Sequence, residues 1–510
     1  MKIARLSLMF MVSLSLALAC QANSVSEADV RDPVVAGKFY SGDAAKLKVA
    51  VEKFLQDAVP PRVKNPVAII VPHAGYIFSG QICADAFKQA AGGTYDIVVI
   101  LGTNHTSASN RKVSLYPGSG FRTPLGVAPV DRETVAALIK ADPEDCVRDK
   151  TLHESEHSVE VMIPFVQVVF PKAKIVPAVV GSPDPDICAR FGRTLAKVLA
   201  GKRALIVASS DLSHYPDAEG ADTVDRETLA AAASLDPARF HETVRSAPVK
   251  TITNLQTRAC GEAPILAAMT TARSLGAVRG VVISYAHSGG VSIGDRSRVV
   301  GYGAVAFTAE PEGNQTAAAS TPAPTAAVPL TASDKRALLA FSRETLSRLF
   351  LTDTVPLARA ERASLQQTRG VFVTLKKHGE LRGCIGRIAG DGPLERLVGM
   401  MTVQSAFNDS RFQPLSPSEF NEIDIEISVL TPLKDVASAA DIVVGRDGVL
   451  LNKGGRSAVF LPQVATEQGW KREEMLDHLC MKAGLPAGSW KDGARLQVFQ
   501  ADVFGEKDFR

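Results

Sequence analysis

Aromatic residues are scarce in this sequence, at only 6% of its 510 positions. That leaves little material for the ring platforms on which proteins stack nucleic-acid bases. Charge of one sign is missing too. A formal net charge of +3 gives no electrostatic footprint for nucleic acid or an anionic membrane surface, so nucleic acid is set aside as a partner. The seven cysteines are widely spread and show no disulfide-framework spacing, and a chain of this length needs no staples. Cys83, Cys188 and Cys480 fall within helix-like apolar patterns and are expected to be buried small hydrophobes. Beyond the first residues no stretch reaches the ~18 continuous apolar positions of a membrane span. No internal repeat is visible.

What is present begins with a processing segment. Lys2 and Arg5 form a basic n-region, Leu6 to Leu18 an apolar h-region, and Ala17-Leu18-Ala19 a small-x-small cleavage pattern. Residues 1–20 are read as a signal peptide and the protein as exported, periplasmic or membrane-anchored. Two outcomes stay open at Cys20: simple cleavage, or lipidation that tethers an otherwise soluble protein.

The length implies two or three domains. One composition break divides the chain. From Glu310 to Ser333 it turns to Gly, Ala, Ser, Thr and Pro without apolar periodicity, too poor in large apolar groups to offset the entropy of ordering. The reading is a first domain over 31–308, a linker over 309–332 and a second domain over 333–510.

In the first domain, short β-branched runs alternate with helical patterns, which predicts an α/β fold with a mainly parallel sheet flanked by helices. The runs are Val67–Val71, Ile97–Leu101, Ile175–Val180, Ala204–Ala208 and Val281–Ser284; Ala44–Phe54 and Asp186–Leu199 carry helical spacing. The second domain reads as a smaller α+β unit. Ser333 is placed to cap a helix to about Leu349, and Val371–Leu375 and Glu380–Ile385 flank a hairpin turn with Gly379. Ile423, Ile425, Ile427 and Val429 alternate with polar residues along a strand. A second hairpin is expected over Val449–Leu461 and one helix over Val464–Ala483.

Histidines follow four of the first-domain strands: His73, His105, His214 and His287. Ligands of open α/β sheets bind beyond the carboxyl ends of the strands, so four histidines delivered there form a convergence. Cys260 stands just before a helical run from Ile265, and a thiol at a helix N-terminus is favoured as thiolate. Thiolate with two imidazoles suits iron, copper or zinc. Taken singly, each histidine is more often a hydrogen-bonded structural residue. His153 and His157 stand four apart, which on a helix would share one face. They are assigned a supporting role around the site, with Glu160 and Glu262.

The motifs Pro72-His73-Ala74-Gly75-Tyr76, Leu101 to His105, Glu156 to Glu160, Ser209 to His214 and Cys260 to Ile265 follow one another in the order of the Memo family, which the segment therefore resembles. The resemblance implies the fold of the class III extradiol dioxygenases, with His73, His105 and Cys260 as metal ligands and His214, oriented by Asp211, as acid/base residue. A cysteine stands where those dioxygenases carry a carboxylate, so ring cleavage does not transfer with the fold; Glu262 is the fallback ligand. Iron- or copper-linked redox chemistry is implied, on a small-molecule or protein substrate that the sequence does not name.

Leu381-Arg382-Gly383-Cys384-Ile385-Gly386, with Phe407 to Phe412 and Glu426 to Pro432, makes the second segment resemble the AMMECR family. Arg382 beside Cys384 is a candidate reactive site if the cation lowers the thiol pKa; otherwise Cys384 is packing and the glycines form a bulge. Asp409 and Arg411 read as a structural ion pair. The two families together imply a link to a radical S-adenosylmethionine protein. Against the metal-dependent oxidoreductase stand two rivals: a non-catalytic binding scaffold, and a metal-sequestering protein reusing the dioxygenase fold.

Overall fold

The computed structural model describes residues 29–107, 109–247, 251–310, 328–359 and 361–509. The expected signal peptide, Cys20 and most of the expected linker lie outside them.

The β-branched runs form the middle of an eight-stranded sheet. In chain order its strands are β1 (Ala68–Val71), β2 (Ile97–Thr103), β3 (Val113–Leu115), β4 (Cys146–Arg148), β5 (Lys174–Val180), β6 (Ala204–Ser209), β7 (Arg279–His287) and β8 (Gly301–Thr308). Their spatial order is β7-β8-β1-β6-β2-β5-β3-β4. The centre, β1-β6-β2-β5, is parallel, and its strands are buried on both faces, as continuous apolar runs require. Antiparallel pairings appear outside it, where β8 meets β1 and β7 and where β3 meets β5, so the sheet is mixed.

Helices cover both faces: α1 (Ala44–Gln56), α2 (Tyr76–Ala90), α3 (Pro185–Leu199), α4 (Ala218–Ala233), α5 (Pro237–Arg245) and α6 (Glu262–Ser274). Asp43, Asp184, Asp217 and Asp236 cap α1, α3, α4 and α5 through their side chains. α3 and α6 pack on each other because Gly192 permits it. A Cβ there would meet Thr270 Cβ at 2.8 Å and Ala267 O at 2.9 Å.

The second domain starts with α7 (Ala332–Thr352) and contains two four-stranded sheets, each with its own core. The first is β10-β9-β11-β12, formed by β9 (Val371–Lys377), β10 (Glu380–Arg387), β11 (Ile423–Leu430) and β12 (Ala501–Gly505). α7 and α8 (Leu394–Phe407) contribute to its core. The expected first hairpin forms, with His378 and Gly379 both at positive φ. The second runs through Gly448–Lys453 and Arg456–Phe460.

Two expectations need correction here. Thr331, not Ser333, caps α7, because its hydroxyl and Asp334 exchange hydrogen bonds in a capping box. The single helix expected over Val464–Ala483 is two, Pro462–Glu467 and Arg472–Lys482, broken where Gly469 takes φ +68°.

The domains meet through charged side chains. Arg359 reaches across to the fully buried carboxylate of Asp85, Arg348 pairs with Asp57, and Arg396 donates to Gly294 O at 2.6 Å. Val291 and Leu357 form an antiparallel backbone bridge. No helix among the described residues is long and apolar enough to cross a membrane.

Candidate metal centre

β1 ends at Val71, and Pro72 then turns the chain so that His73 sits buried at the carboxyl edge of the sheet. β2 carries the chain to Thr103, two residues before His105. A third ring joins them. His157 stacks on His105 with centroids 4.8 Å apart, and His73 lies 5.1 Å from His105 and 5.5 Å from His157. One nitrogen from each ring lies within 4.8 Å of the others, so the trio can hold a metal ion.

Hydrogen bonding fixes how two rings present themselves. Ser209 Oγ donates to Ser158 O at 2.7 Å, so at its 2.8 Å contact with His73 Nδ1 it accepts. His73 is then the Nδ1–H tautomer with a free lone pair on Nε2. The Glu156 carboxylate accepts from His105 Nδ1 at 3.0 Å, which leaves His105 Nε2 free in the same way. Burial pushes the Glu156 carboxyl up, but hydrogen bonds from the His105 ring and from the Ser158 and His105 backbone N–H groups outweigh it and hold it at about 2. Burial, reinforced by the neighbouring His105 and His157, holds His73 well below the usual histidine range. Both effects keep imidazole lone pairs available, and borderline nitrogen donors beside a sulfur fit a transition metal.

Cys260 brings its sulfur to 3.3 Å from His73 Nε2. It does not complete the three-nitrogen group, which takes His157 as third member. Burial, and after it the Asp211 charge, raises the Cys260 thiol, so in the metal-free protein desolvation outweighs the helix-terminus effect that favoured a thiolate. Gly261 fits closely here: a Cβ would meet Ser209 O at 2.5 Å.

Asp211 lies beneath His73, accepting its backbone N–H at 2.8 Å, and burial pushes its carboxyl up to about 7. It does not orient His214. The His214 ring bonds through Nδ1 to Leu212 O at 3.0 Å, the carbonyl two residues back. His214 is half-buried, with its pKa lowered by burial. His287 stays apart, since β8 separates its strand from β1.

His153 and His157 do not share a helix face. The helix covers only Thr151–Glu154, and His153 turns into the core, its Nε2 donating to Ser114 O at 3.1 Å. Glu160 anchors the same loop through Arg31 and Tyr40, both at 2.7 Å. Glu262 faces α5 and binds His241 and Arg245. Ser209 and Glu156 matter more to ring orientation than their sequence context announced. The only hint was a serine and a glutamate inside the histidine motifs.

In the second domain, Arg382 does not serve Cys384. Its guanidinium is taken by Glu419 at 2.9 and 3.0 Å. Cys384 is half-buried, its sulfur accepts from Thr374 Oγ1 at 3.2 Å, and its N–H is held by Asp409, itself paired with Arg411 at 2.7 Å. Cys83, Cys188 and Cys480 are buried and unbridged.

Comparison with known proteins places these features. Residues 31–306 match the family model described as Memo-like protein, and residues 339–504 match AMMECR1. A MEMO1 family protein of Aquifex aeolicus is 37% identical over 54% of this chain and 97% of its own length. One from Nitrosopumilus maritimus is 33% identical over 54% of this chain and 99% of its own. A crystal structure of an uncharacterized protein from Pyrococcus horikoshii is 34% identical, with a TM-score of 0.32, over 33% of this chain and 90% of that one.

Proposed function

Because the chain belongs to the Memo-like protein family and joins that domain to an AMMECR1 domain, we propose that it is a metal-dependent redox protein whose centre is built on His73, His105 and Cys260. The observation that carries this reading is that one nitrogen from each of His73, His105 and His157 lies within 4.8 Å of the others, with the Cys260 sulfur 3.3 Å from His73 Nε2. Iron or copper suits that donor set, with zinc as the redox-inert occupant. A bound iron or copper supplies one-electron redox capacity.

The chain's own residues do the rest. Ser209 and Glu156 aim the His73 and His105 lone pairs, and Asp211 fixes the His73 backbone. His157, stacked on His105, is a further donor. His214, tethered through Nδ1, presents Nε2 for proton transfer to a bound molecule. An exported setting, with or without a lipid on Cys20, would separate the protein from a cytoplasmic radical S-adenosylmethionine partner.

Elemental analysis of the purified protein with an anaerobic spectrum tests the reading. Stoichiometric iron or copper with a thiolate–metal band, the metal lost in His73→Ala and the band lost in Cys260→Ser, is the expected result. Metal retained in His73→Ala would overturn it. The scaffold reading draws on one observation: without metal the raised thiol can donate to His73 Nε2, a satisfied arrangement needing no ion. A metal-free protein after native purification would favour it.

A further inference from the structure

Cys260 belongs to two places at once. It touches His73, and it also lines a crevice of about 560 Å³ formed with Asn104, Val180, Val244, Arg245 and Gln256. That volume lies within the ~300–1,000 Å³ range of small-molecule sites. The crevice opens beyond the carboxyl ends of β2 and β5, where ligands of open α/β sheets lodge.

Its chemistry is asymmetric. Val180, Val244, Ala263 and Pro264 make an apolar wall. Arg245 at the end of α5 is held by the buried Glu262 carboxylate, with Nε at 3.0 Å and Nη2 at 2.8 Å from Oε2. Glu262 is fixed in turn by His241 Nδ1 at 2.6 Å. One edge of the guanidinium fork is thereby anchored, and among the described residues Nη1 has no partner. A guanidinium fixed along one edge is preorganised to take a carboxylate on the other. α6 also begins at this crevice, with Glu262 itself in its first turn, so the helix end holds in place the carboxylate that anchors Arg245.

We propose that this crevice is the substrate pocket of the centre and that it takes a small organic carboxylate. Arg245 binds the anionic group, the apolar wall takes the carbon skeleton, and the far end of the molecule meets Cys260. The proposal rests on the metal-centre reading only for what then happens at that end.

Benzoate and its neutral isostere benzamide are the probes, titrated calorimetrically into the full-length protein. Benzoate is expected to bind at least about tenfold more tightly than benzamide, the worth of one charge-assisted contact. Arg245→Gln should erase the difference, Arg245→Lys should restore part of it, and Val244→Trp, which fills the crevice, should abolish binding. Thermal melts confirm that each variant is folded. Equal affinity for the two probes, wild-type benzoate binding by Arg245→Gln, binding that survives Val244→Trp, or no benzoate binding at millimolar concentration each overturns the pocket. Benzoate preference in a protein that carries no metal would sink the metal reading and leave this one standing.

Discussion

Glu156 supports more of the centre than its half-hidden place in the sequence suggests. One carboxylate accepts from the His105 ring and from the backbones of His105, His157 and Ser158. Glu156→Gln keeps the volume but puts an amide where an acceptor is needed. Metal affinity of the refilled protein should fall about 10- to 100-fold with little change in fold, measured by competition with a chromophoric chelator. The pH behaviour is set by other single residues. His153 and His287 are held at about 4 by burial, and each has a buried Nδ1 without a partner, so a second ring proton would find no acceptor. Above about pH 6.5 both states are neutral and nothing is contributed. As pH falls from 6.5 towards 4 the unfolded chain binds protons that the native one does not, and stability drops by up to roughly 3 kcal/mol per group. Urea midpoints should decline across that window, and His153→Gln should flatten the decline.

Elements decide which residues meet, and here the sequence could be read only partly. β-branched runs before Pro72, Gly102 and Ser209 are local signals, so the strands and the edge to which they deliver His73 and His105 were legible. His157 was not. Its spacing from His153 suggested a shared helix face, whereas the helix stops at Glu154 and the loop folds back over β2. The partners Ser209 for His73 and Glu156 for His105 come from segments 136 and 51 residues away, and no local pattern encodes such contacts. Likewise, Arg382 next to Cys384 looked like an activating cation until Glu419, 37 residues on, proved to be its partner. The fold-back over β2 depends on Gly102, where a Cβ would stand 2.6 Å from Val159 Cγ2 and 2.7 Å from Ser158 Oγ. Gly102→Ala should push the His157 loop away, costing roughly 1–3 kcal/mol of stability and weakening metal binding together. Unchanged metal affinity would show that His157 is dispensable.

At the scale of the whole molecule, the two domains are joined by charges paired across their boundary, Arg348 with Asp57 and Arg359 with Asp85. Asp85 is fully buried in α2 and is met by Val59 N, Ser284 Oγ and the Arg359 guanidinium from the second domain. Arg359→Ala should destabilise the first domain by roughly 3 kcal/mol, because it leaves a buried carboxylate unpaired. Asp85→Asn together with Arg359→Ala should recover much of that loss. Additive effects in a double-mutant cycle would refute the coupling.

The Arg359–Asp85 pair, with Arg348–Asp57 and the Arg396 contact to Gly294, has one more consequence. The halves are fastened by matched side chains independently of the peptide that links them. A protease cut between residues 311 and 327 should therefore leave a nicked heterodimer that co-elutes as one particle and comes apart only when denaturant loosens the clasp.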